Sequence, residues 1–339
     1  MKTIVSVQEV SEFDLKPPAA VAQWQALVEA EISQRWADRA GWARVDWPTC
    51  KPENEIFAFE RSGFSYVESQ ICGSLYAPNR PSEDALWEWY RNSTPAKFWR
   101  EQLLPASDSV RRENITRPRA DWVLDGIAEY VTNPRHLIDV SANGRGLIDI
   151  VAAEHSTLQQ IVAAGMTADL EGNSTVRVLV QPTRVADLPS HGPTDVIVAI
   201  DALDRAADLG ALIRAFEQSL APGGVVFATA PVASGFEMQA LWERSPSVLP
   251  PDKLNLPSVA GLQLLFAAPT WELLELSTPG MFDVEMVRRA ILAAPDAPWP
   301  RVLRALVERT DAAGRTTLVE LLQSRRLASF ARLVARKKI

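Results

Sequence analysis

Two carboxylates three residues apart, Asp201 and Asp204, follow a short run at residues 195–200 that reads DVIVAI. An apolar, β-branched run of this length suits a strand buried on both faces. Asp204 and Asp208 then stand ahead of a helix, where negative charge favours the positive end of the helix dipole. Leu209, Leu212, Ile213, Phe216 and Leu220 recur at helical spacing and give that helix one apolar stripe. Pro222-Gly223-Gly224 stops it, and residues 225–230 (VVFATA) read as a second buried strand. Strand, helix and strand at this length predict a right-handed parallel crossover. Ligands bind at the C-terminal lip of such a sheet, and the two aspartates stand at that lip.

Other residues invite a chemical reading. Cys50 and Cys72 each end a four-residue unit, WPTC and SQIC. A structural zinc site needs four ligands of cysteine or histidine type, and none of His136, His155 and His191 lies nearby in sequence, so a zinc-free hairpin core is expected here. Two cysteines also give no disulfide framework. Arg117 and Arg119 are available to contact an anionic substrate or to remain solvated. Leu86, Trp87, Trp89 and Tyr90, followed by Phe98, Trp99, Leu103 and Leu104, form an aromatic-rich helical stretch. It is read as a layer capping the sheet through aromatic burial, with a substrate cleft as the alternative.

The elements that must position these residues follow from the rest of the chain. With 339 residues there is room for a large core, or for one large domain with a smaller one. The 47% apolar and 23% charged content is that of an ordinary globular chain. A net charge of −7 argues against a general nucleic-acid binder. No apolar run approaches the length of a membrane span, and the opening residues carry acids where a signal peptide is apolar, so a cytoplasmic location is expected. A short strand is predicted at residues 3–7, then a helix presenting Val21, Trp24, Leu27, Val28 and Ile32 on one face. IFAFE and FSYVE flank Arg61-Ser62-Gly63 as a hairpin. His136 to Val140 reads as the first strand of the main domain, followed by a helix at 147–158. Further strands are predicted at 160–164 and 175–181 (TVRVLVQ), and the last strand at 330–335.

The ending of the central helix, LAPGG followed by VVFATAP, resembles the class I S-adenosylmethionine-dependent methyltransferases. GSLYAPNRPSEDALWEWY, WELLELSTPGMFDVEMVRRAI and the two cysteine units extend the likeness over about residues 45–339, to a subgroup with an N-terminal zinc ribbon. Here Trp47 and Ser69 stand where that subgroup has the first cysteine of each pair. The resemblance implies an α/β fold: a Rossmann-like sheet in the order 3-2-1-4-5-7-6 with helices on both faces, plus a small N-terminal α+β region. The chain divides on this reading into residues 1–130, with the degenerate ribbon at 47–80, and a methyltransferase-like domain at 131–339.

The same resemblance implies S-adenosylmethionine as cofactor, with contacts at Asp139, Ser141, Asn143, Gly144, Gly146, Asp187 and Asp201. The family's glycine-rich loop after the first strand is altered: Ser141, Asn143 and Arg145 fall on its three glycine positions, while Gly144 and Gly146 are out of phase by one. Arg145, pointing inward, would set a cation against the sulfonium. The acid that ends the family's second strand and binds the ribose is replaced by Ala164-Gly165; Glu154 and Glu171 fit that slot only with a gap. Two family histidines are replaced by Arg205 and by the run Asp252-Lys253-Leu254-Asn255. The candidate bases are Asp201, Asp204, Asp252 and Lys253, the last requiring a much lowered pKa. Two readings follow. The chain is a methyltransferase acting on a small-molecule or sugar-linked acceptor with an eroded cofactor site, or an inactive protein of that fold serving as a binding or partner subunit. Neither implies nucleic acid or membrane.

Overall fold

The computed structural model of the chain describes residues 1–5, 15, 17–142 and 145–338. Asn143 and Gly144 lie outside the described residues, as do Ser6, Val7 and the side chain of Glu171; residues 3–5 form no strand, and Lys2 makes an isolated bridge to Glu275 instead. Seven strands form the main sheet: β1 His136–Asp139, β2 Gln160–Ala163, β3 Val178–Val180, β4 Thr194–Ala199, β5 Leu220–Pro231, β6 Trp271–Ser277 and β7 Phe330–Lys337. Their order is β3-β2-β1-β4-β5-β7-β6. β1 to β5 are parallel, and β7 inserts antiparallel between β5 and β6. This is the order that the resemblance implied.

The central position of β4 explains its composition. Ile197 and Ala199 pack on one face of the sheet with Leu212 and Phe216, while Val196, Val198 and Ile200 pack on the other with Ile127 and Ile148. Each aliphatic side chain hidden this way contributes roughly 1.5–3 kcal/mol, and no polar position is tolerated between them. Asp208 caps the following helix, Leu209–Ser219, by accepting the Ala211 N–H at 2.8 Å. β3 is shorter than its sequence suggests. Thr175 turns back on Val178, its N–H donating to the Val178 carbonyl and its hydroxyl accepting the Val178 N–H, so pairing with β2 starts at Val178. The first helix of the domain runs Arg145–Glu154 and starts earlier than predicted.

A second sheet joins the hairpin strands Glu55–Arg61 and Phe64–Ser69 to Leu75–Tyr76 and to Asn255–Leu256. Ser62 and Gly63 both take positive φ (46° and 78°), the geometry of a two-residue turn matching strand twist. Asn255 and Leu256 come from the loop after β5, so the N-terminal region and the main domain share this sheet. Trp47 is buried with its ring 5.6 Å from that of Tyr76 and its indole N–H on the Thr49 hydroxyl. Buried Ser69 accepts the Ile71 N–H, and Cys50 and Cys72 are buried free thiols. Among the described residues no three histidines, cysteines or acids stand where they could hold a metal ion. Among them, too, no helix is long and apolar enough to cross a membrane.

Helices Pro18–Arg35 and Glu83–Asn92 lie over the C-terminal lip of the sheet. Trp36 stacks on Trp89 at 5.0 Å and Trp24 tilts against Trp99 at 4.9 Å. Trp99–Leu103 and Arg112–Thr116 are π-helical turns, a geometry that re-aims side chains and recurs at functional sites.

Candidate active site

Between sheet and roof lies a cleft with an open mouth. Its floor is the backbone that leaves the parallel strands: Val140 and Ala142 after β1, Ala164 and Gly165 after β2, Thr183 after β3, Ala202 after β4. Its roof is aromatic, with Trp24, Trp87, Trp89, Tyr90 and Trp99. The aromatic stretch therefore caps the sheet and lines a cleft at once. Four ionic side chains reach the lining: Glu83, Arg100, Arg205 and Asp252. All four are engaged. Arg205 pairs with Asp252 at 3.1 Å and lies 5.3 Å from the Tyr90 ring centre. Arg100 donates to the carbonyls of Tyr90 and Arg91, and Glu83 accepts the Val185 N–H.

The candidate bases form one charge cluster behind this wall. Asp201 takes a left-handed backbone (φ 53°), uncommon for a residue with a side chain. Its carboxylate accepts the Thr229 hydroxyl at 2.9 Å and pairs with Arg119 at 3.1 Å. Burial alone would raise its pKa, but Arg119, with Lys253 and Arg205, holds it well below the usual carboxylate range. Asp204 is fully buried and pairs with Lys253. Burial pushes its carboxyl up to about 6, with Lys253 opposing and Asp201 reinforcing. Its second oxygen has no partner among the described residues. Of the four candidates, Asp252 alone lines the cleft; Asp201, Asp204 and Lys253 do not.

Of the expected cofactor contacts, Asp139, Ser141, Gly146 and Asp187 are absent from the cleft lining. The Asp139 carboxylate accepts both the N–H and the hydroxyl of Ser141, and the Ser141 hydroxyl accepts the Ile200 N–H, so these two side chains tie β1 to β4. Gly146 is exposed within its helix. Asp187 is exposed and absent from the cleft lining, because the 3-10 turn Val185–His191 points it outward. Arg145 does not face the cleft: it pairs with Asp149 and donates to the Asn173 carbonyl. Glu154 is held at the surface by Arg117, and Arg119 is spent on Asp201. The fit of S-adenosylmethionine is partial. The apolar floor and aromatic roof suit its flat and apolar parts. No carboxylate stands at the end of β2 for its ribose, and a Cβ on Gly165 would lie 2.4 Å from the Ser141 carbonyl oxygen, so none can be placed at 165 without backbone movement.

Two contributors were not singled out from the sequence. Arg80, fully buried and without a carboxylate partner among the described residues, donates to the carbonyls of Ala77, Ala206, Ala207 and Leu254 and to Asn255 Oδ1. Asn255 donates in turn to the carbonyls of Leu203 and Ala206. Together they fix the loop that carries Arg205 against the loop that carries Asp252. The Arg80-Pro81 step of the family-like run was the available signal. Thr183, on the cleft floor, bonds His191 Nε2 at 2.8 Å; nothing in the sequence joins the two.

Residues 119–276 match the family model described as a methyltransferase domain. No curated protein matches the chain. Among solved structures, the 4+2-cyclase SpnF is 20% identical with a TM-score of 0.40, covering 65% of this chain and 81% of its own. The plantazolicin methyltransferase BpumL, solved with SAH, is 11% identical with a TM-score of 0.44, covering 75% and 95%. Coclaurine N-methyltransferase, bound to N-methylheliamine and SAH, is 12% identical with a TM-score of 0.39, covering 66% and 72%.

Proposed function

We propose, from the premise that residues 119–276 are a methyltransferase domain of the S-adenosylmethionine-dependent class, that the chain methylates a small-molecule acceptor held under its aromatic roof. The observation that carries this reading is the cleft itself, which opens where β1, β2 and β4 end and is closed from above by Trp24, Trp87 and Trp99. S-adenosylmethionine supplies, when bound, an electrophilic methyl group. Ala142, Ala164 and Gly165 are the floor residues that would lie against it. The protein's own part is chiefly positioning, which by itself can account for several orders of magnitude in rate. Asp252 is the one candidate base on the lining, and Arg205 holds its side chain in place at 3.1 Å.

A second reading, a binding or partner subunit without turnover, is favoured by one specific feature: the second strand ends in Ala164-Gly165 with no ribose-binding acid. Calorimetric titration with S-adenosylmethionine and S-adenosylhomocysteine separates the two. Saturable binding of either supports the enzyme, while none up to millimolar concentration leaves the binding subunit.

A further inference from the structure

Each ionic group of the cleft has a partner within the protein, and this limits what acceptor it can hold. A charged ligand gains most where it meets a free counter-charge in a dry site, and it loses its hydration on entry. Arg205 and Asp252 already neutralise each other, Arg100 is held by two backbone carbonyls, and Glu83 by a backbone N–H. A sugar-linked acceptor demands several converging polar partners. The walls offer instead three indoles and a phenol ring from the helices Pro18–Arg35 and Glu83–Asn92, with Trp99 beside them. Such rings reward flat, apolar surface through area and offset stacking.

Two buried donors on the lining side chains are left without a hydrogen-bond partner among the described residues, Arg205 Nε, whose charge Asp252 already meets, and the indole N–H of Trp99. The indole N–H of Trp99 is buried with no hydrogen-bond partner among the described residues, and an unpaired buried donor costs free energy that an oxygen from a ligand would recover. Trp99 opens a π-helical turn, Trp99–Leu103, and its ring is braced by Trp24 at 4.9 Å and by the Arg111 guanidinium at 5.8 Å.

We infer that the acceptor is an uncharged, flat, largely aromatic molecule whose carbonyl or ether oxygen accepts the indole N–H of Trp99, and not a sugar-linked one. This rests on the reading of the cleft as the acceptor pocket, but its test needs no cofactor. The failure of methyl transfer and the failure of this assignment are therefore separable.

Calorimetry on the full chain with three probes decides it: chromone, a flat bicyclic ketone; naphthalene, of similar size without oxygen; and UDP-glucose. Chromone should bind about five-fold or more tighter than naphthalene, the margin of one recovered hydrogen bond, and UDP-glucose should not compete with it. Trp99→Phe, which keeps a ring and removes the donor, should erase the chromone advantage while leaving naphthalene within about two-fold, since ring area changes little. Equal affinity for chromone and naphthalene in the native chain overturns the assignment whether or not the variant folds. So does a Trp99→Phe variant that weakens both probes alike, or UDP-glucose binding more tightly than chromone.

Discussion

At the scale of single residues, the acids of the site were legible but their partners were not. Asp201 and Asp204 follow a buried strand, and that much is written in residues 195–208. That Arg119, far back in the chain, neutralises Asp201, and that Lys253 neutralises Asp204, depends on which loops the sheet order brings together. The two acids titrate in opposite directions, because burial outweighs Lys253 at Asp204, whereas at Asp201 burial is outweighed by Arg119 with Lys253 and Arg205. Asp204 has its pKa raised from 3.8 to about 6, so the folded state holds its proton more tightly than the unfolded chain. The stability this confers is fully present below the unfolded value and is lost as pH rises through about 6. Asp201, depressed by Arg119, does the reverse: its contribution is present above the unfolded value and lost as pH falls below it. Asp204→Asn removes only the first dependence. Relative to the native chain, the variant should therefore gain on the order of 2 kcal/mol between pH 4.5 and 7. Urea unfolding at the two pH values measures this, and a constant gap would mean that Lys253 fully compensates the buried charge.

At the scale of elements, strands and helices with strong periodicity could be read directly, because β4 and the helix after it are buried where pattern and environment agree. The joins between regions could not. Asn255–Leu256 completes the N-terminal sheet by pairing with Leu75–Tyr76, nearly two hundred residues away in the chain, and two residues are too few to carry a strand signal. β3 was overextended because TVRVLVQ has strand composition throughout, whereas Thr175 spends its N–H and hydroxyl on a local turn. Arg80 belongs to this scale, since its guanidinium clamps the two joining loops. Arg80→Met leaves buried carbonyls and Asn255 Oδ1 unpaired and should destabilise the protein by about 2–4 kcal/mol. Asn255→Ala should cost a similar amount, and the double variant less than the sum, because both remove the same clamp. Additive losses in a thermal or denaturant double-mutant cycle would show that the two act separately. If the clamp positions Arg205 and Asp252, Arg80→Lys should restore stability more fully than it restores ligand affinity, for a lysine cannot span the same five acceptors.

At the scale of the whole molecule, the sheet has the strand order that the methyltransferase resemblance implied, and residues 119–276 match a methyltransferase-domain model, while the floor of the cleft carries no ribose-binding acid. Asp139 and Ser141 are turned to holding β1 against β4, and the end of β2 presents Ala164 and Gly165 where an acid would grip two hydroxyls. The expected consequence is weak affinity for S-adenosylhomocysteine, with a Kd above about 100 μM, where a millimolar ligand adds no more than about 1.4 kcal/mol of stability. Only one of the two positions can be repaired. Gly165 admits no side chain, because its Cβ would collide with the Ser141 carbonyl. Ala164 lines the cleft and its N–H is already anchored on the Asp139 carbonyl at 2.7 Å, so Ala164→Asp should set a carboxylate at the strand end without disturbing the backbone. One charge-assisted hydrogen bond contributes about 1.5–3 kcal/mol, so this variant should bind S-adenosylhomocysteine at least about ten-fold more tightly than the native chain. Gly165→Ala should lose stability and gain nothing. Should the native chain instead bind at low micromolar concentration, with Ala164→Asp no tighter, the ribose must be held by other groups. The loop containing Gly144 and Gly146 would then be the place to seek them.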